Sequence, residues 1–94
     1  MYSRTVTITD PAGLHARSAS EFVRSANRFS SMITIGKASE EKRVSAKSIV
    51  MVMSVGAGNG SKIELSAEGA DEREAVDFLA QLLATGPGEA TGAA

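Results

Sequence analysis

Between Lys62 and Glu68 the chain alternates without a break: Ile63, Leu65 and Ala67 are apolar, while Lys62, Glu64, Ser66 and Glu68 are not. A strand sends successive side chains to opposite faces, so this segment predicts a strand with one buried and one wet face. Tyr2 to Thr9 follows the same pattern, with Val6 and Ile8 against Thr5, Thr7 and Thr9. Met32 to Lys37 repeats it, Ile33 and Ile35 flanking Thr34. After the polar Glu40-Glu41, Val44 to Ala46 predicts the weaker arm of a hairpin. Strands with a single apolar face call for an open sheet whose helices cover one side.

The helical segments fit that demand. Asp10-Pro11-Ala12-Gly13 is a turn, after which Ala19, Phe22, Val23 and Ala26 recur at i, i+3, i+4 and i+7 and predict a helix running to about Arg28. Lys47 to Val55 is short and apolar and suits a strand or a helix on composition alone. It is taken as a short helix, with Ser45 or Ser48 near its start and Gly56 past its end. Asp71-x-x-Glu74 resembles a capping box, and Ala75, Val76, Leu79, Leu82 and Leu83 form the core-facing stripe of a last helix. The predicted order is β-α-β-β-α-β-α, an α+β sandwich with one face wet. A 43% apolar share of 94 residues suffices for one core, so residues 1–84 are expected to form one domain. Thr85 to Ala94 is small and Gly-rich, and a disordered tail is expected there.

Charge and composition exclude several function classes. Ten basic and eleven acidic side chains nearly cancel, leaving no overall positive field for nucleic acid, and Tyr2 alone among the strand residues could stack on a base. The chain has no cysteine, which removes disulfides, thiolate chemistry and cysteine-based metal sites, and with a single histidine no metal centre or cofactor is expected. Neither paired carboxylates nor a Ser/His/Asp constellation accompanies that histidine, which disfavours a hydrolase. No apolar leader opens the sequence and no stretch approaches the length of a membrane span, so a cytoplasmic protein without membrane insertion is expected.

His15 stands where the Pro11 to Leu14 loop meets the first helix. First-turn amides and the positive helix end favour an anion there, so a phosphate on the ring would be stabilised and a neutral, nucleophilic imidazole preferred. Arg17 can present planar donors to phosphoryl oxygens. A lone histidine at a helix start is by itself an ordinary surface or capping residue, and spacing does not settle its task.

Gly13-Leu14-His15-Ala16-Arg17 followed by Ser18-Ala19 resembles the active-site signature of the HPr family, the histidine phosphocarriers of the bacterial phosphoenolpyruvate-dependent sugar phosphotransferase system. Ala46 to Gly56 is similar to the family's second motif, around a regulatory serine, and Gly69-Ala70-Asp71-Glu72 is similar to the opening of its last helix. The resemblance covers residues 1 to about 84. It implies an open-faced β-sandwich, a four-stranded antiparallel sheet covered on one face by three helices. It implies that His15 takes a phosphoryl group from phosphorylated Enzyme I and passes it to the A domain or subunit of a sugar permease. The protein would then be a carrier and not an enzyme, working as a monomer. Arg17 would steady the phosphoryl group, together with the backbone N–H groups of Ala16 and Arg17.

The sequence also departs from the family. Position 18 is Ser where the family usually has Pro, which restores a backbone N–H near the phosphate. Ser18-Ala19-Ser20-Glu21 could also be a capping box that starts the helix a turn later, leaving Ala16 and Arg17 in a loop. Ser48 matches the serine phosphorylated by a dedicated kinase, HPr kinase/phosphorylase, in many members. Arg17, Glu21, Arg24 and Arg28 share one helical face by spacing, and Ile49, Val50 and Met53 are candidates for an exposed apolar patch, though some of them must be core. By resemblance, Arg24, Arg28 and that patch would receive partner proteins. Gly56-x-Gly58-x-Gly60 precedes a strand, the reverse of a nucleotide-binding turn, and reads as a connector. A rival to the carrier is a regulatory module with the same fold that signals by its phosphorylation state without feeding sugar transport.

Overall fold

The computed structural model describes residues 1–9, 13–14 and 16–85. In chain order these form β1 (Tyr2–Thr7), α1 (Ala16–Ala26), β2 (Met32–Lys37), β3 (Val44–Ser45), α2 (Ile49–Ser54), β4 (Lys62–Glu68) and α3 (Glu72–Thr85). The strands pair antiparallel in the order β1-β4-β2-β3, so the segment with the strictest alternation is a central strand. Register then aligns the apolar sets. Val6 lies opposite Ile63, Ile35 opposite Leu65 and Ile33 opposite Ala67, and the inner residues of β4 and β2 are buried beneath the helices. On the other face Ser3, Ser66, Thr34 and Ser45 stand in one cross-strand row, the Ser3 and Ser66 hydroxyls 2.7 Å apart. This is the α+β open-faced sandwich with three helices on one face of a four-stranded antiparallel sheet.

Phe22, fully buried between Ala19 and Ala26 on α1, packs into a core shared with Ile35, Ile63, Leu65, Val52, Val76 and Leu79. The stripe predicted for the last helix is buried throughout. Element ends differ from expectation where local hydrogen bonds decide them. β1 stops at Thr7, although Ile8 remains buried and bonds Ser61 and Gly60 through its backbone. α1 ends at Ala26 instead of about Arg28, because Arg28 and Phe29 donate three residues back, to Ser25 and Ala26, and tighten the last turn. α3 includes Thr85, and the expected tail beyond it, 86–94, lies outside the described residues.

β3 is only two residues long, and a side chain from the hairpin supplements its ladder. Arg43 reaches past β2 to Glu64 on β4, its Nε and Nη2 3.1 and 2.6 Å from Oε1. It crosses at Gly36, where a Cβ would sit 2.8 Å from Arg43 Nη1.

The capping box expected at Asp71 and Glu74 does not form. The Asp71 carboxylate turns away from its own helix to the loop before β2, accepting from Ser30 N at 2.9 Å, Ser31 N at 3.0 Å and the Ser31 hydroxyl. A different pair closes the helix start: Glu72 Oε1 accepts from Gly69 N at 3.1 Å. The Ser31 hydroxyl and the two amides lower the Asp71 pKa from its ordinary 3.8 to about 2. A depressed carboxylate contributes stability that is complete above its unfolded pKa and lost as pH falls through its folded one. Thermal unfolding temperature should therefore fall between about pH 4 and about pH 2, and Asp71→Asn should flatten that part of the profile. At neutral pH, Ser31→Ala should lower Tm by about 4–8 °C, the shift for one lost hydrogen bond in a domain of this size.

A polar tie also joins β1 to α3. The Tyr2 hydroxyl donates to Asp77 at 2.9 Å, Arg4 pairs with the same oxygen at 3.1 Å, and the Arg73 guanidinium lies over the Tyr2 ring. Bonding from Tyr2, aided by Arg4, lowers the Asp77 pKa. At the surface such pairs contribute little individually, and they serve to orient the edge strand.

Candidate functional site

His15, the predicted phosphoryl acceptor, lies outside the described residues, as do Asp10, Pro11 and Ala12. The structure describes what frames that position. Gly13 has φ +74° and lies against the loop that follows α2, where an added Cβ would come within 2.7 Å of Gly58 Cα and 2.8 Å of Ala57 O. Only glycine combines that backbone angle with that approach. Leu14, buried, donates its N–H to Ala57 O at 2.9 Å. On the near side of the loop, Thr9 is held twice: its hydroxyl donates to Ala84 O at the end of α3, and its carbonyl accepts from Asn59 Nδ2 at 3.2 Å.

On the far side α1 begins at Ala16, so the helix starts immediately after His15 and not a turn later at the Ser18 box. Ala16, Arg17 and Ser18 thus occupy the first turn, where an α-helix presents its amides beyond its own N-terminus, the end that favours an anion. Arg17 is exposed. Ser18 is buried, and its hydroxyl donates to Gly13 O at 3.2 Å, tying the helix to the residue that enters the loop. Sequence reasoning credits Ser18 with a backbone donor and misses this side-chain tie. It also misses the task of the Gly-rich connector, whose Ala57 and Gly58 form the seat for Gly13 and Leu14.

The expected cationic face divides. Arg24 is exposed in the last turn of α1, whereas Arg28 lies beyond the helix, its guanidinium 5.9 Å from the Phe78 ring centre on α3. A same-face placement holds for Arg17, Glu21 and Arg24 only, because the tightened turn at Ala26 carries Arg28 off the helix.

α2 packs beside α1, with Asn27 Nδ2 bridging Val23 O at 2.9 Å and Lys47 O at 3.2 Å. Of the two serines proposed for its start, Ser48 is the N-cap, with extended backbone and Oγ 3.4 Å from Met51 N. Ser45 instead accepts from Lys47 N in the preceding turn. Val52 is the one buried residue of α2. Ile49 (39% exposed), Val50 (73%) and Met53 (44%) all face outward, and Met51 (40%), absent from the predicted patch, joins them. Among the described residues no group of three or more His, Cys, Asp or Glu side chains is placed to hold a metal, and no helix is long and apolar enough to cross a membrane.

This arrangement has relatives. A family model described as the PTS HPr component phosphorylation site matches residues 2–85. The chain is 43% identical over 82 residues to the phosphocarrier protein HPr of Haloferax volcanii, covering 87% of this chain and 92% of that one. It is 47% identical over 79 residues to the HPr-like protein Crh of Halalkalibacterium halodurans, covering 84% and 92%. In three dimensions it is similar to the crystal structure of HPr from Thermoanaerobacter tengcongensis, with TM-score 0.82, 46% identity, and coverage of 88% of this chain and 91% of that one. Signature, fold and matched length agree: the chain belongs to the HPr family, the phosphocarriers of the phosphotransferase system.

Proposed function

We propose that this protein takes a phosphoryl group on His15 from phosphorylated Enzyme I and donates it to the A domain or subunit of a sugar permease. The observation that carries the reading is the start of α1 at Ala16, which puts three first-turn amides and Arg17 directly after the only histidine of the chain. In-line phosphoryl transfer needs positioning and charge stabilisation more than covalent help from the protein. The amides of Ala16, Arg17 and Ser18 supply fixed dipoles, and Arg17 supplies a planar cation for the phosphoryl oxygens. The carrier itself turns over no substrate; it works as a cytoplasmic monomer.

Partners dock, in this reading, on Arg24 and on the outward residues Ile49, Val50 and Met53 of α2. An apolar centre with a cationic rim suits short-lived complexes. Arg28, held over Phe78, belongs to the far rim. Ser48 sits beside this patch, and a kinase that phosphorylated it would place a dianion there and repel acidic partners. The likeness to Crh supports a second reading, a regulatory module that signals through its phosphorylation state. The presence of His15 between Gly13-Leu14 and Ala16-Arg17, as in the family signature, favours the carrier.

Incubation with phosphoenolpyruvate and Enzyme I, followed by intact mass under alkaline conditions, tests the proposal. The expected result is one phosphate adduct that mild acid removes. Absence of the adduct, when a control carrier is phosphorylated alongside, refutes it. Arg17→Ala should slow acceptance by about 10- to 100-fold in rapid-quench experiments without abolishing it, since the amide donors remain and an exposed cation contributes less than an enclosed one. An unchanged rate removes Arg17 from the site.

A further inference from the structure

All four methionines of this chain are exposed: Met1 at 79%, Met32 at 75%, Met51 at 40% and Met53 at 44%. The thioether is usually a core gap-filler, yet this core is closed with aliphatic side chains and Phe22. Two of the four methionines lie on α2. At about 100° per residue, Val52 turns inward, Val50 points nearly opposite to it, and Met51 and Met53 lie on either side of Val50. Met32 stands on the uncovered face of the sheet, paired in register with Glu68, and Met1 precedes the edge strand.

We propose that Met51 and Met53 form an oxidative modification site, at which a peroxide disconnects the protein from the partners that dock on α2. The proposal rests on the docking role assigned to that helix above. In the step, a sulfur lone pair attacks one peroxide oxygen. The S–O bond forms as the O–O bond breaks, and the departing oxygen leaves as water after taking up a proton, the other proton being lost from the transferred oxygen. The thioether is oxidised by two electrons to the sulfoxide, and hydrogen peroxide is reduced to water. In the free protein the new S=O group stays hydrated, because both side chains reach solvent, so the fold is not disturbed. In a complex the same group would have to be stripped of water within an apolar contact, and docking weakens. Met1 and Met32 are accessible to the same oxidant but lie outside the patch, which provides an internal control.

The test treats the protein with hydrogen peroxide, assigns sulfoxides by peptide mass, and measures two rates of phosphoryl acceptance. One donor is phosphorylated Enzyme I, which must dock; the other is phosphoramidate, a small donor that need not. Oxidation should lower the first rate at sub-saturating protein by about tenfold or more and leave the second and the Tm unchanged. Methionine sulfoxide reductases should restore it. In the Met51→Leu/Met53→Leu double variant the ratio of treated to untreated rates should stay near one, although Met1 and Met32 are still oxidised. Met32→Leu should remain sensitive. Full oxidation of Met51 and Met53 without loss of transfer overturns the inference, as does equal inhibition of the double variant. Val50→Asp separates the two levels. If it slows transfer from Enzyme I while oxidation does not, only the modification site is refuted; if Val50→Asp has no effect, the docking reading fails and this inference fails with it.

Discussion

Replacing His15 with Ala is expected to abolish phosphorylation by Enzyme I and phosphoenolpyruvate while leaving the thermal unfolding temperature within about a degree or two of the wild type. The first expectation follows from chemistry: the chain has no second histidine, and no cysteine, to take the phosphoryl group as a nucleophile of comparable reactivity. The second follows from the frame. Gly13 against Ala57 and Gly58, the Leu14 amide on Ala57, Thr9 on Ala84, and the Ser18 hydroxyl on Gly13 are all made by neighbours of His15 and not by His15. None of these contacts is lost with the imidazole, so the frame is expected to persist in the variant. Intact mass and differential scanning calorimetry on the same preparation check both. A phosphate adduct in His15→Ala moves the acceptor elsewhere, and a collapsed Tm makes the histidine structural.

Phe22→Ala should have the largest effect on stability, about 3–5 kcal/mol. The ring is fully buried in the core, on the same stripe of α1 as two small residues, Ala19 and Ala26, that leave little to collapse into the space. Small domains are stable by only about 5–15 kcal/mol, so this one change removes a large share of the total. Urea denaturation should show a much lower midpoint with a similar slope, the sign of lost stability without a change in the surface exposed. Because Phe22 is also two turns along the helix whose first residues follow His15, loosening it should slow phosphoryl acceptance in the fraction that remains folded. A midpoint within experimental error of the wild type would show that the core closes without the ring.

The two expectations separate site from scaffold, and the division was largely visible in the sequence. Residues 62–68 alternate so strictly that their central position in the sheet follows once they have partners of the same pattern on both sides. The signature around His15 was equally legible, because it is a run of adjacent residues, and so was the apolar stripe of α3. Other features were not. Asp71-x-x-Glu74 satisfies the spacing of a capping box, yet the carboxylate bonds a loop 40 residues away in the chain, and no local pattern records a partner that distant. The end of α1 was misplaced for a similar reason. Its apolar spacing continues to be compatible with helix past Ala26, and a turn tightened by three-residue hydrogen bonds ends it.

The sequence by itself determined the order of elements, the inward face of each long one, and the residue types gathered around His15, because periods of two and of 3.6 residues are properties of the chain before it folds. The tertiary structure alone decided the rest. A six-residue helix is too short for its composition to say which side is inward, and its placement against α1 buries Val52 while turning Ile49, Val50, Met51 and Met53 to solvent. A Gly-rich connector has no periodicity to read, and it joins the frame of the candidate site only because the fold brings Ala57 and Gly58 against Gly13 and Leu14. Contacts of that kind depend on where distant segments meet, which is fixed by packing of the whole core and not by any stretch of residues within it.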